Sequence, residues 1–193
     1  MIAKSIKGKT PEEIKSALQQ SMEDGFTPTL AIVFSSINQD WGEISKLLDS
    51  YGVAIFGAST NGEFIDDEKD KDSTAIILLD IKEEYFTLFF DEFQNDNFSE
   101  VAESIAIKSL EKFQKPALLV VASNFNTDAE AVISGFEQIL GKEVNIFGGM
   151  AGDNYTFTEQ FVFTNNKSSN KGVLVLALDE SKISIKGRAS DFL

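Results

Sequence analysis

Gly57-Ala58-Ser59-Thr60-Asn61-Gly62-Glu63 and Gly148-Gly149-Met150-Ala151-Gly152-Asp153 each follow a short apolar run, and each close on a carboxylate. Both read as a strand that ends in a glycine turn. Their surroundings match as well. Pro28-Thr29-Leu30-Ala31-Ile32-Val33 answers Pro116-Ala117-Leu118-Leu119-Val120-Val121, and Val53-Ala54-Ile55-Phe56 answers Val144-Asn145-Ile146-Phe147. Ala75-Ile76-Ile77-Leu78-Leu79-Asp80 answers Leu174-Val175-Leu176-Ala177-Leu178-Asp179. Pro28 and Pro116, Phe56 and Phe147, and Asp80 and Asp179 lie 88, 91 and 99 residues apart, so the second copy is lengthened mainly after its glycine turn. A period this long implies two similar halves of one domain, about residues 1–96 and 97–193, rather than a solenoid of many short repeats.

The periodicity of each half places the remaining elements. Thr10-Pro11-Glu12-Glu13 is a capping box with proline at the first helical position, and Ile14, Ala17, Leu18 and Met22 form one apolar stripe before Gly25. A strand over 29–34 follows, then a helix over 40–51 with Trp41, Ile44, Leu47, Leu48 and Tyr51 inward, stopped by Gly52. Strand 53–56 leads into the first turn. Segments 74–80 and 85–90 read as an antiparallel pair joined through Lys82-Glu83-Glu84. In the second half, a helix over 99–113 presents Ala102, Ile105, Ala106, Ser109, Leu110 and Phe113, and strand 117–122 follows. Thr127-Asp128-Ala129-Glu130 is a second capping box, opening a helix that buries Ala129, Val132, Ile133, Phe136, Ile139 and Leu140 before Gly141. Strands over 144–147, 160–164, 172–178 and 183–186 complete the chain. The fold class is α/β: mixed parallel and antiparallel sheet(s) flanked by helices, built from two tandem pseudo-equivalent halves. Strand-helix-strand crossovers favour parallel neighbours, while short links favour hairpins.

Composition narrows the chemistry. A chain of 193 residues is long enough for one sizeable domain that buries roughly 70% of its unfolded surface. Cysteine and histidine are both absent. That removes thiolate nucleophiles, disulfides, the usual general base and the commonest metal or haem ligand. The formal charge is −14, with acids clustered in Asp66-Asp67-Glu68-Lys69-Asp70-Lys71-Asp72 and around 91–96; these read as solvated loops, and nucleic acid and anionic membranes are excluded as partners. The apolar runs are far shorter than the ~20 residues that cross a bilayer, and Met1-Ile2-Ala3-Lys4 has no signal-peptide core. A cytoplasmic protein is expected. Seventeen phenylalanines supply core packing.

Closely spaced glycines at a strand end bring bare backbone N–H groups to the surface, which can hold a carboxylate or phosphate without a charged side chain. Where a phosphate loop requires lysine, however, these turns carry Glu63 and Asp153, so nucleotide hydrolysis is disfavoured. The pattern suits a small ligand with both charges, such as a free amino acid. Backbone N–H groups with the Ser59 and Thr60 hydroxyls face its anion, and Glu63 or Asp153 its ammonium. The alternative is structural: tight turns whose carboxylates cap their own loops. Ser35, Ser36, Ser59 and Thr60 are potential nucleophiles with only lysine or carboxylate bases available, and Glu63 with Asp153 is a carboxylate pair of unknown separation. A non-enzymatic ligand-binding module is therefore favoured. A protein-interaction or scaffolding module and a hydrolase are the alternatives.

The same residues carry a resemblance. Gly57-Ala58-Ser59-Thr60-Asn61-Gly62-Glu63, Phe147-Gly148-Gly149-Met150-Ala151-Gly152-Asp153, Val162-Phe163-Thr164-Asn165 and the run 172–178, in this order and spacing over about 28–178, resemble the N-terminal domain of the FIST sensory family (FIST N). The resemblance implies an intracellular sensory domain of bacterial or archaeal signal-transduction proteins that binds small ligands such as amino acids. It also implies a FIST C-terminal domain, if the chain is a fragment, and a signalling output domain or protein as partners. The family's motif residues carry over to Gly57, Ser59, Thr60, Gly62 and Glu63 and to Gly148, Gly149, Gly152 and Asp153 as ligand-binding candidates, with no catalytic role and no metal. Some members are described as haem-binding gas sensors. Iron here would have to take methionine or tyrosine, so no cofactor is expected.

Overall fold

Strands that are apolar on both faces need cover on both sides, and the computed structural model supplies it in four layers, helices–sheet–sheet–helices. The structure describes residues 1–65, 68–123 and 125–186. In chain order these form β1 (Ile2–Gly8), α1 (Pro11–Met22), β2 (Leu30–Ser36), α2 (Trp41–Ser50), β3 (Ala54–Thr60), a small ribbon of β4 (Glu63–Ile65) and β5 (Glu68–Asp70), and β6 (Thr74–Asp80). Then follow β7 (Phe86–Glu92), α3 (Phe98–Lys112), β8 (Pro116–Ala122), α4 (Ala129–Leu140), β9 (Ile146–Met150), β10 (Val162–Phe163), β11 (Ser168–Ser169) and β12 (Gly172–Asp179).

One sheet has the order β1-β6-β2-β3-β10-β11 and the other β7-β12-β8-β9. The arrangement β1-β6-β2-β3 recurs as β7-β12-β8-β9. In each, the second strand, β6 or β12, is antiparallel to both its neighbours, and the last pair, β2·β3 or β8·β9, is parallel through a helical crossover. The sheets are therefore mixed, as the alternation of helical crossovers and short links implies.

Strict alternation along the strands assigns each residue to a layer. In β12, Val173, Val175 and Ala177 face α3 and α4, where they pack with Ile105, Ala106 and Phe136. Leu174 and Leu176 face the other sheet and meet Leu30, Phe56 and Val121 in a core between the sheets. Helices α1 and α2 close the opposite side through Ile14, Leu18, Ile44 and Leu48 over Ala31, Val33, Ile55, Ile76 and Leu78. Local signals place the first helix as read: Thr10 accepts from Glu13 N, Glu13 accepts from Lys9 N, and Gly25 turns out at φ 87°.

Several expectations are corrected. Segments 74–80 and 85–90 do not pair with each other: β6 lies between β1 and β2, while β7 pairs with β12. Residues 81–85 carry the chain from one sheet to the other, with Ile81 and Phe86 buried between them. The repeated topology thus restarts at β7, ahead of the helix at 98–112. Strand β1, which no sequence signal suggested, fills the edge position beside β6 that the hairpin reading gave to β7. The glycine segments begin inside strands rather than in turns, because β3 runs on to Thr60 and β9 to Met150. Residues 183–186 form no strand, and 160–164 shrinks to the pair Val162–Phe163. The second helix cap is Asp128, which accepts from Ala131 N, while Thr127 donates instead to Ser123 O. Leu110, Ala129 and Ile133 are exposed rather than buried. Of the first acidic cluster, Asp66 and Asp67 lie outside the described residues, as do 187–193 of the second half; within the cluster, 68–70 is a strand rather than a loop.

Candidate functional site

The two glycine segments meet. Each leaves its strand at the same end of the molecule, and the gap between the sheets is bridged by backbone and short polar side chains. Gly152 N donates to Ser59 O (2.7 Å) and Ser59 Oγ donates to Gly152 O (2.6 Å). Ser59 Oγ also accepts from Phe161 N (2.8 Å). Asn61 Oδ1 accepts from Asp153 N (2.8 Å) and Tyr155 N (3.3 Å). A Cβ on Gly152 would lie 2.6 Å from Asn61 Oδ1 and 2.7 Å from Asn61 N, so this crossing admits only glycine. Ser59 is fully buried and its hydroxyl is used in the stitch.

Both carboxylates are 2% exposed and held by hydrogen bonds from nearby chain. Asp153 Oδ2 accepts from Thr158 N (2.7 Å) and Thr156 Oγ1 (2.9 Å), closing the loop that follows it. Glu63 Oε1 accepts from Thr60 Oγ1 (2.6 Å), and Oε2 accepts from Ser73 N and Ser73 Oγ (both 3.3 Å). A carboxylate offers about four acceptor positions; the partners of Glu63 take three, and the fourth is on Oε1.

The segments touch, but they line two separate apolar cavities rather than a shared one. Thr60, Gly62 and Glu63 line a cavity of about 460 Å³ with Ser5, Phe34, Phe64, Ile65 and Ala75–Ile77. Register explains its walls. Ser5 is opposite Ile77 and Phe34 opposite Ala75, on the face that further along carries Leu30 and Leu79 into the core between the sheets. At this end the second sheet no longer covers that face, so Phe34 and Ile77 are each 38% exposed, and the β4–β5 ribbon overhangs them with Phe64. The ribbon is tied down by Lys9 Nζ on Asp70 Oδ1 at 2.9 Å, with Lys7 Nζ at 3.9 Å from Oδ2. That hydrogen bond from Lys9 holds the Asp70 carboxyl below the usual carboxylate range and raises the Lys9 ammonium.

Gly148 and Gly149 line a different cleft, about 270 Å³, between β9 and α4, with Thr127, Ala129, Val132, Ile133, Phe136 and Met150 among its walls. It opens on the outer, helix-covered side of the second sheet. Gly57, Ser59, Gly152 and Asp153 line neither cavity. Sequence reasoning missed Phe34, Phe64 and Ile77, which line the first cavity, and Ser73, which holds Glu63; the signal available was an apolar Phe64 directly after the glycine turn. It also missed that Ala129 and Ile133, on an otherwise buried stripe, are wall residues of the second.

For nucleophilic chemistry the structure offers Thr60 beside Glu63. Ser36 donates to Asp72 at 3.2 Å, and Ser35 shares a bond of 2.7 Å with Thr74. Among the described residues no group of three or more acidic side chains is arranged to hold a metal ion, and no helix is long and apolar enough to cross a membrane.

A protein-family model described as FIST N domain matches residues 29–191. None of the curated proteins compared with the chain matches it. The family match takes in β2 to β12 and leaves out β1, an edge strand of the first sheet, and α1, which packs on that sheet's outer face. The chain belongs to the FIST N domain family, a family of sensory domains linked to signal transduction.

Proposed function

We propose that this FIST N domain senses a small ligand in the cavity under the β4–β5 ribbon. Its best-fitting ligand class is a free amino acid with an apolar side chain. The observation that carries the reading is the buried Glu63 carboxylate at the polar end of an otherwise apolar cleft. Concave, largely apolar sites with a few fixed polar groups are the usual form of small-molecule sites. Thr60 and Ser73 fix the carboxylate and leave one acceptor position on Oε1 for an ammonium. Phe34, Phe64 and Ile77 provide a wall for an aliphatic or aromatic side chain. An intracellular output partner would read that occupancy at the β4–β5 ribbon, which roofs the cavity. Thr60 is within reach of a carboxylate, as a hydrolase would require, but a carboxylate is a weak base toward an aliphatic hydroxyl, so we read the pair as an anchor rather than a catalyst.

A thermal-shift screen of free amino acids and small carboxylates tests the proposal. A ligand at 100 times its Kd adds about 2.7 kcal/mol of stability. Calorimetry should then show binding weakened at least about tenfold by Glu63→Gln, the loss of roughly 1.4 kcal/mol from a charge-assisted bond, and by Ile77→Trp, which fills the cleft. If no compound stabilises the protein, or if Glu63→Gln lowers the melting point while affinity is unchanged, the carboxylate is a structural cap and the proposal fails.

A further inference from the structure

The two sheets share one strand order up to a point, and they part at β3 and β9. Beyond β3 the first sheet continues to β10 and β11; beyond β9, among the described residues, the second sheet stops. Gly57 pairs with Val33, which lies opposite Ile76, and Gly148 pairs with Val120, which lies opposite Val175, so the two glycines occupy equivalent places and β2 corresponds to β8 one residue away from the match of Val33 with Val121. Over Gly57 lies the ring of Phe163, brought by β10, completely buried and stacked on Trp41 at 5.2 Å between centroids. Trp41 is the first residue of α2; the first residue of α4 is Ala129, and it lines the open cleft beside Gly148. The cleft is thus the place that Phe163 and Trp41 fill in the first half.

The backbone repeats the comparison. On β3, Ile55 N donates to Asn165 Oδ1 and Ser59 N to Phe161 O, while Gly57 is opposite Phe163 in the ladder. On β9, Leu118 N donates to Asn145 O and Ala151 N to Ala122 O, so odd-numbered residues face β8 and the N–H groups of Ile146, Gly148 and Met150 face outward. Sheet edges are ordinarily guarded by charge, proline or brevity. Edge strand β1 carries Lys4 and Lys7 and β7 carries Asp91 and Glu92, whereas β9 reads Ile-Phe-Gly-Gly-Met, with Gly148, Gly149 and Met150 exposed. The wall helix and its cap carry Asp128, Glu130 and Glu137 with no basic residue, in a chain of net charge −14.

We propose that the outer edge of β9 and the cleft beside it bind an extended segment of a partner protein, laid antiparallel to β9. An aromatic side chain is seated beside Gly148, and basic residues flank it. Main-chain bonds to the edge give affinity, and the cleft and the acidic helix select the side chains. The surface is separate from the Glu63 cavity and does not depend on it.

A fluorescent peptide of Gln160-Phe161-Val162-Phe163-Thr164-Asn165 with lysines added at both ends is the probe, titrated with the protein and read by anisotropy. Saturable binding is expected. It should weaken at least about tenfold with Met150→Pro, which removes only an outward N–H, and with Ala129→Trp, which supplies the missing counterpart of Trp41. Melting temperatures should hold, and Ala129→Trp, on an exposed helix position, decides alone if the proline variant does not fold. A peptide with Phe163→Ala should lose binding to the same degree. No saturable binding, unchanged wild-type affinity in both variants, or binding that survives Phe163→Ala and vanishes with salt would overturn the proposal. So would light scattering that shows a concentration-dependent dimer abolished by Met150→Pro, because the edge would then belong to a second copy.

Discussion

Removing the ring that covers Gly57 should destabilise the protein more than any surface change, and should at the same time make room for a side chain that the native fold rejects. Phe163 is fully buried, stacks on Trp41 and belongs to a two-residue strand held on β3. Phe→Ala at such a site costs about 3–5 kcal/mol, which in a domain of this size lowers Tm by about 6–20 °C. Gly57→Ala alone pushes its new methyl into the Phe163 ring, an overpacking of about 1–3 kcal/mol. In the Phe163→Ala background that collision is gone, so adding Gly57→Ala should be close to neutral. The cycle therefore predicts a coupling of about 1–3 kcal/mol, the double variant being more stable than the sum of the singles implies. Urea unfolding of the four proteins with a common slope reads it directly. Strict additivity, or a Phe163→Ala loss below about 1 kcal/mol, would refute the claim that ring and glycine form one packing unit, and with it the comparison that identifies the β9 cleft.

Asp153→Ala should cost about 1–3 kcal/mol by orphaning Thr158 N, whereas Asp153→Asn keeps an acceptor in place and should be nearly neutral by the same urea assay. Comparable losses for both would mean that charge, not hydrogen bonding, holds the loop. Because Asp70 is lowered and Lys9 raised, their bridge contributes above the unfolded carboxylate value and is lost as pH falls through the folded one; at the alkaline end it persists below the unfolded ammonium value and is lost as pH climbs through the folded one. Amide exchange of the β4–β5 ribbon should therefore show no bridge-linked change between about pH 6 and about pH 9, and a transition inside that window would contradict the assignment. Haemin titration should give no sharp one-to-one Soret change, since the chain has no histidine or cysteine to ligate iron.

Local elements were largely legible. The stripe of Ile14, Leu18 and Met22, the cap at Thr10 and the exit at Gly25 involve residues within one or two turns of each other, so their physics is written in adjacent sequence. The link after Asp80 misled because five residues can close a hairpin or cross between layers; both are sterically open, and only the long-range demand of β6 for a partner on each side selects the second. β1 escaped notice because Ile2-Ala3-Lys4-Ser5-Ile6-Lys7-Gly8 is half polar, as an edge strand with one buried face should be. At the candidate site, Thr60, Gly62 and Glu63 were identified from the turn itself, but the walls Phe34 and Ile77 were not. Their exposure depends on where the second sheet ends.

By itself, the sequence determined the α/β class with mixed sheets, the places of most helices and strands, and the absence of imidazole and thiol side chains. Those follow from residue type and short spacing. Only the tertiary structure decided that the two glycine segments would be joined to each other rather than to one ligand cavity, and that Phe163 would plug one half while Ala129 left the other open. The reason is that both outcomes depend on register: sliding β10 by one residue along β3 would turn Phe163 to the opposite face, and no short stretch of chain carries that information alone.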